Sequence, residues 1–403
     1  MAEGPLAGVR ILDLSRVLAG PWATQLLADL GAEVIKVERP GGGDETRGWG
    51  PPWAGDPAAG APSAYFLCAN RGKRSVAVDL ARPEGAALVA RLAERCDALV
   101  ENFKVGGLAR YGLDYASLSA RNPRLVYCSI TGFGQDGPYA ARPGYDLLIQ
   151  AMGGLMSITG EPGGEPQKVG VALTDVLTGL YAAVAVLAAL RERDRTGRGR
   201  HIDLALMDVE VACLANQALN YLVSGEPPRR LGNAHPNIVP YQAFEAADGW
   251  FVVAVGNDAQ FRRFCDVLGL AGLADEPRFA TNAARVRHRE ALIPLLAARL
   301  RERPRAHWVQ ALEAAAVPAG PINDVADVFA DPQVRHRGLA RRLTHPRWGA
   351  LPQVASPIRM DGAARMAEAA PPALGEHTED VLRELAGVEA GEIARLREAG
   401  IIG

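Results

Sequence analysis

A chain of 403 residues with 48% hydrophobic and 22% charged residues has the composition of an ordinary folded protein, and it is long for one core, so two domains are expected. A formal net charge of -2 gives no general attraction to nucleic acid or to an anionic membrane; neither is expected as a partner, and any anionic ligand needs a local basic cluster. The five cysteines (Cys68, Cys96, Cys128, Cys213, Cys265) are scattered and odd in number, which suits a reducing compartment and argues against a disulfide framework or a zinc site.

The opening residues, Met1-Ala-Glu-Gly-Pro-Leu6, lack a basic start followed by an apolar run, so a cytoplasmic address is expected. Val9–Leu14 reads as a strand. Gly20-Pro21 then opens a helix through Leu30, with proline suited to the first turn and Gly31 closing it. Further strands are expected at Glu33–Val37, Ser75–Val78, Ala98–Glu101 and Arg124–Ile130, with a helix from Pro83 to Cys96. This alternation predicts an α/β fold, with a Rossmann-like parallel sheet covered by helices. A helix from Asp175 to Arg193 is stopped by Thr196-Gly-Arg-Gly199. A strand at His201–Leu206 and a second long helix to about Leu222 follow. The longest apolar stretch, Leu180–Leu190, is too short to span a bilayer.

Ser224-Gly-Glu-Pro-Pro-Arg229 is a break in composition. It divides a large domain over 1–224 from a small domain over 225–330 that has its own strand, Trp250–Val255. The tail, 331–403, reads as proline-rich and then helical.

In parallel sheets ligands gather at the carboxyl ends of the strands. The unusual segments fall there: Arg16-Val-Leu-Ala-Gly20, Arg39-Pro-Gly-Gly-Gly43, Asn102-Phe103 and Gly132-Phe-Gly134. They point to one binding crevice. Asn70-Arg-Gly-Lys-Arg-Ser75 places three cations within four positions, either as a solvated loop or as a phosphate site beside that crevice. Gly132-Phe-Gly-Gln-Asp-Gly137 formally matches a dinucleotide fingerprint. Pro138 and Pro143 follow too closely for a helix from its third glycine, so a dehydrogenase reading is disfavoured. Asp175 stands at a helix start, where a carboxylate can serve as a cap or, kept ionised by the helix field, as a nucleophile.

The order of Gly132–Pro138, Pro143-Gly-Tyr-Asp146 and Gly170–Tyr181 resembles the class III CoA-transferase family, and the likeness runs from Leu6–Leu14 to Leu374-Gly-Glu-His-Thr378. The resemblance implies that Asp175 attacks an acyl-CoA thioester, giving first an aspartyl anhydride and then an enzyme thioester. No permanently bound cofactor is implied; CoA thioesters and a carboxylic acid are the substrates. It assigns the CoA site to Leu18, Ala19, Arg39, Asn70, Arg71, Lys73, Arg74, Asn102, Phe103, Arg110 and Tyr145. Leu18 replaces the family's glutamine, which leaves only a backbone contact there, and Pro143 stands where some members carry lysine. Related racemases carry histidine where this chain has Tyr145. Gly232 and His235 open a possible substrate loop with fewer glycines than in some members; His235 also suits a turn bonded to backbone. His377 reads as structural, before a helix that Thr378 would cap.

In detail the chain looks most like members that pass CoA from succinyl-CoA to a small dicarboxylate such as glutarate. A cation for the second carboxylate is expected among the arginines from Arg262 to Arg289. An interlocked homodimer, with the tail returning to the large domain, is carried over in the same way. The alternatives are a 2-methylacyl-CoA racemase and a non-catalytic CoA-binding protein in which Asp175 is only a cap.

Overall fold

In β1 (Arg10–Asp13), Ile11 and Leu12 point to opposite faces and both are fully buried, as in a strand covered on each side. The computed structural model describes Gly4–Gly403. After β1 come α1 (Ala19–Asp29), β2 (Glu33–Glu38), the single-turn α2 (Ala64–Leu67), β3 (Lys73–Ala77), α3 (Pro83–Ala93), β4 (Ala98–Glu101), α4 (Tyr115–Arg121) and β5 (Val126–Thr131). The chain continues through α5 (Asp146–Met152), a turn α6 (Leu155–Ile158), α7 (Leu173–Thr196), β6 (His201–Ala205), α8 (Leu206–Cys213) and α9 (Ala215–Ser224).

The six strands form one parallel sheet in the order β3-β2-β1-β4-β5-β6. Strand order reverses about β1, so a crevice opens at the carboxyl ends of β1 and β4. One face of the sheet (Leu12, Ile35, Val76, Leu99, Tyr127) packs on α3 and the C-terminal helices. The other face (Ile11, Val34, Val100, Cys128) packs on α1 and α7. Replacing such a fully buried leucine by alanine costs about 2–5 kcal/mol.

α7 is long and apolar enough to cross a membrane by length and composition, an 18-residue window within it having a mean hydropathy of 1.9. Here Ala182, Ala183, Val186 and Leu190 of α7 lie buried in the core beneath the sheet. Gly197 ends the helix in the left-handed conformation, φ 72°, where its missing Cβ removes the steric cost.

The structure divides into two units. One takes the chain up to Leu155, Val169–Leu222 and Pro332–Gly403; the other takes Met156–Lys168 and Val223–Asp331. The excursion at Met156–Lys168 carries its own break in composition, Gly160-Glu-Pro-Gly-Gly-Glu-Pro166, inside the span expected to be the large domain. The second unit has a three-stranded antiparallel sheet of β7 (Tyr241–Ala246), β8 (Gly249–Ala254) and β9 (Ala319–Pro321) around its own core of Phe251, Phe261, Phe264, Phe279 and Trp308.

Three local expectations are corrected. The helix after β6 is two helices, because Ala215 has φ 47° and breaks the ladder. The tail holds two antiparallel hairpins, Ala340–His345 with Gly349–Val354 and Arg359–Met360 with Ala363–Ala364, between a short helix at Pro332–His336 and its last two helices. Thr378 is the first residue of its helix rather than the cap. Its hydroxyl donates to the Gly375 carbonyl and accepts the N–H of Ala77, tying the tail to β3. His377 is structural in the same sense: its Nδ1 accepts the N–H of Ser75.

Candidate active site

Asp175 is the third residue of α7, and the carboxylate of Asp146 meets its backbone directly. The Asp175 N–H donates to Asp146 Oδ1 at 3.2 Å, while Asp146 Oδ2 accepts from Gln150 Nε2 at 2.6 Å. Asp146 opens α5 immediately after Tyr145, whose side chain is 65% exposed. The loop carrying both can reach this place because Gly132 and Gly144 pack backbone to backbone; a Cβ on Gly132 would lie 2.6 Å from Gly144 Cα. Beside Asp175, Thr174 donates to Glu210 of α8 at 2.6 Å. A Cβ on Gly179, one turn further along α7, would lie 2.7 Å from the Ala19 carbonyl oxygen. Glycine therefore lets the start of α1, and with it Leu18 and Ala19, approach the first turns of α7.

The electrostatics differ from the helix-start expectation. Burial first, and the like charge of Asp146 second, push the Asp175 carboxyl up to about 7. Desolvation overrides the helix field because Asp175 is 9% exposed. At neutral pH the group is therefore poised between its acid and its carboxylate. Tyr65 of α2 is pushed up to about 12 by burial and by Asp175, Cys68, Asp146 and Asp44, so these groups surround one phenol that stays protonated. Cys68 is held up to about 11, mainly by burial, and presents a thiol rather than a thiolate.

The loop from Ser15 to Ala19 crosses the carboxyl ends of β1 and β4. Asn102 clamps it, accepting the Arg16 N–H at 2.9 Å and donating to the Arg16 carbonyl at 2.7 Å. The Arg16 guanidinium lies 5.1 Å from the centre of the Phe103 ring. Leu18 and Ala19 are buried, which leaves their backbone rather than their side chains for a ligand. Arg39 and Arg110 are exposed, and neither has a carboxylate partner among the described residues; Arg110 lies over Tyr111 at 4.6 Å. These two arginines suit a polyanion approaching from solvent.

The cations of Asn70–Ser75 do not. Arg71 is 5% exposed and forms a two-pronged ion pair with Asp29. Lys73 is buried and donates to Asp13 at 2.9 Å, to the Pro21 carbonyl and to Asn70. Burial opposes charge on Asp13, yet Lys73 and Lys36 hold its carboxyl down to about 2. Arg74 is shared between Glu33 and Glu384. Asn70 is fully buried and donates to the Phe66 carbonyl. The expected phosphate cluster is framework: each cation already has its counter-charge, and a buried ion is costly to strip of it.

In the second unit, His235 is a turn residue. Its Nδ1 accepts the Asn237 N–H at 3.0 Å, and burial and Arg289 hold its imidazole below the usual range. Gly232 has φ 57°, and a Cβ there would lie 3.2 Å from the Glu161 carboxylate. Arg262, Arg278 and Arg285 pair with Asp275, Glu276 and Asp258. Arg263 donates to the Ala315 and Ala316 carbonyls, and Arg289 to those of His235 and Pro236. A separate cavity of about 300 Å³ lies under the loop after β4, lined by Glu101, Lys104, Tyr115, Ser129 and His201 rather than by Asp175. Of the residues around Asp175, the motif spacing singled out neither Tyr65 nor Glu210. Asp146 was visible only as the end of Pro143–Asp146.

The profile of CoA-transferase family III matches residues 6–378. Succinate–glutarate CoA-transferase of Agrobacterium fabrum is 53% identical over 387 residues, covering 96% of each chain. Succinyl-CoA:glutarate CoA-transferase of Homo sapiens is 46% identical over 399 residues, covering 99% of this chain and 90% of that one. The crystal structure of a CAIB/BAIF family protein from Brucella suis superposes with a TM-score of 0.84 at 52% identity, covering 95% of this chain and all of that one. The chain belongs to CoA-transferase family III, and it is a CoA-transferase acting on CoA thioesters.

Proposed function

We propose that this enzyme moves CoA from succinyl-CoA to glutarate or a closely similar dicarboxylate, with Asp175 as the nucleophile. Identity of 53% over 96% of both chains to a succinate–glutarate CoA-transferase carries the substrate assignment. The setting of Asp175 supports its role. A carboxylate raised to about 7 is more basic, and so more nucleophilic once ionised, than one near 3.8. The Asp146 contact fixes the backbone of Asp175, so attack on a bound thioester is favoured by position.

An ionised Asp175 oxygen attacks the succinyl thioester carbon, the C–S bond breaks, and CoA leaves as thiolate. The thiolate attacks the aspartyl carbonyl of the anhydride; succinate departs and an aspartyl–CoA thioester remains. The acceptor carboxylate attacks this thioester, again releasing CoA thiolate. The thiolate then attacks the acceptor's carbonyl and regenerates the Asp175 carboxylate. Each tetrahedral adduct carries an oxyanion, for which the protonated Tyr65 and backbone N–H groups near Ala19 are suitable donors. Arg39 and Arg110 take the CoA phosphates, and Asn102, Phe103, Leu18, Ala19 and Tyr145 shape the path of the cofactor arm. A homodimer is part of the proposal, supported by apolar side chains left exposed on α7 and α9: Tyr181, Val184, Leu219 and Leu222.

The test is chromatography of CoA esters after mixing the protein with succinyl-CoA and one of glutarate, adipate, malonate, butyrate or formate. Glutaryl-CoA is expected as the main product, with monocarboxylates poor acceptors. Asp175→Asn is expected to lower turnover about 10³-fold or more while CoA binding persists. Formate or butyrate matching glutarate would overturn the dicarboxylate assignment. A fully active Asp175→Asn would overturn the mechanism.

A further inference from the structure

Val17 has φ 70°, and it is the one β-branched residue among the four non-glycine residues with positive φ in the described structure. A β-branched side chain in that region is strained, and a loop needing only a turn would be served by glycine or asparagine. The strain is held by side chains drawn from four other places. Asp13 accepts the Ser15 N–H at 2.9 Å, and Lys36 Nζ donates to the Ser15 carbonyl at 2.8 Å. Asn102 takes both backbone groups of Arg16. Asp44 Oδ1 accepts the Val17 N–H at 3.3 Å. Asp44 is itself fixed by Lys36 at 2.9 Å and by the N–H and hydroxyl of Thr46, all fully buried or nearly so. Burial works against charge on Asp44, yet Lys36 keeps its carboxyl below the usual range.

Immediately after Val17 the chain enters α1. The N–H groups of Leu18, Ala19 and Gly20 make no hydrogen bond within the described residues. Ala19 packs on Gly179, one turn along α7 from Asp175. The strained residue therefore stands at the head of unbonded donors, where α1 packs on the first turns of α7, the helix whose Asp175 N–H is held by Asp146.

We infer that Val17 is a positioning residue for CoA transfer: its left-handed conformation, enforced by the buried Lys36–Asp44 pair and by Asn102, holds the first N–H groups of α1 beside Asp175. This rests on Asp175 being the nucleophile. The donors act on an oxyanion that exists only in the transition state and its adducts, so loosening them affects turnover more than binding.

The test compares Val17→Gly with Val17→Asn in steady-state CoA transfer and thermal unfolding. Glycine relieves the strain and frees the backbone. Melting is expected to be unchanged or higher, with kcat reduced tenfold or more and KM for succinyl-CoA within about twofold. Asparagine adopts positive φ readily, so it is expected to restore kcat to within about threefold of the parent. A glycine variant with unchanged kcat overturns the inference. So does a folded asparagine variant as slow as the glycine one, which would assign the effect to the valine side chain. Failure of the nucleophile reading would be seen separately, as transfer surviving Asp175→Asn.

Discussion

Replacing Asp175 by asparagine is expected to abolish transfer and, at the same time, to stabilise the protein by an amount that grows with pH. The Asp175 carboxyl is pushed from the usual 3.8 up to about 7. Between those values the folded protein binds a proton that the unfolded chain has released. Stability therefore falls as pH rises through this window, and the penalty is complete above about 7. At about 1.4 kcal/mol per pH unit, a difference of roughly three units is worth about 4 kcal/mol at pH 8 and almost nothing at pH 4. Asparagine has the same shape and no charge, so it removes that penalty. The helix-dipole stabilisation lost with the charge, about 0.3–1 kcal/mol, reduces the gain without reversing it. With an unfolding entropy of about 0.85 kcal/mol per kelvin for 403 residues, the expected rise in melting temperature is about 4–5 °C at pH 8. The assay is calorimetric melting of parent and variant at pH 5, 6, 7 and 8. Asp146→Asn, which removes only the second of the two causes, is expected to give the same sign and a smaller gain. A melting difference independent of pH, or a variant less stable than the parent at pH 8, would refute the reasoning that burial and Asp146 strain this carboxylate.

Lys73→Met is expected to cost about 3–5 kcal/mol of stability, because it leaves the Asp13 charge buried without its partner. The KM for CoA esters of the folded fraction is expected to stay within about twofold; a large rise in KM with normal stability would return Lys73 to the phosphate site. Arg39→Ala is expected to leave stability and kcat unchanged and to raise KM for succinyl-CoA about fivefold, as for an exposed ionic contact worth about 1 kcal/mol. The rise is expected to shrink in high salt, and a salt-independent KM would remove Arg39 from the phosphate contacts.

The sequence by itself determined the strands of the large sheet, because runs such as Glu33–Val37 and Ala98–Glu101 put apolar residues (Val34 and Ile35, Leu99 and Val100) on both faces and are bounded by turn residues. It also determined the place of Asp175, since an acidic residue opening an apolar helix after paired glycine loops is a local pattern. Family membership was legible for the same reason: the motifs are contiguous.

What the tertiary structure alone decided is what each charge faces. Arg71, Lys73 and Arg74 look alike in the chain, but their partners Asp29, Asp13 and Glu384 lie 42, 60 and 310 positions away. No local rule says whether a cation on a strand or loop turns inward to such a partner or outward to a ligand. The protonation of Asp175 was decided in the same way. Its helix position argues for an easily ionised carboxylate, but burial in the packed interior and the approach of Asp146, brought in by the contact of Gly132 with Gly144, reverse the sign. Desolvation is a property of the assembled surroundings, and it exists only once distant segments have displaced the water.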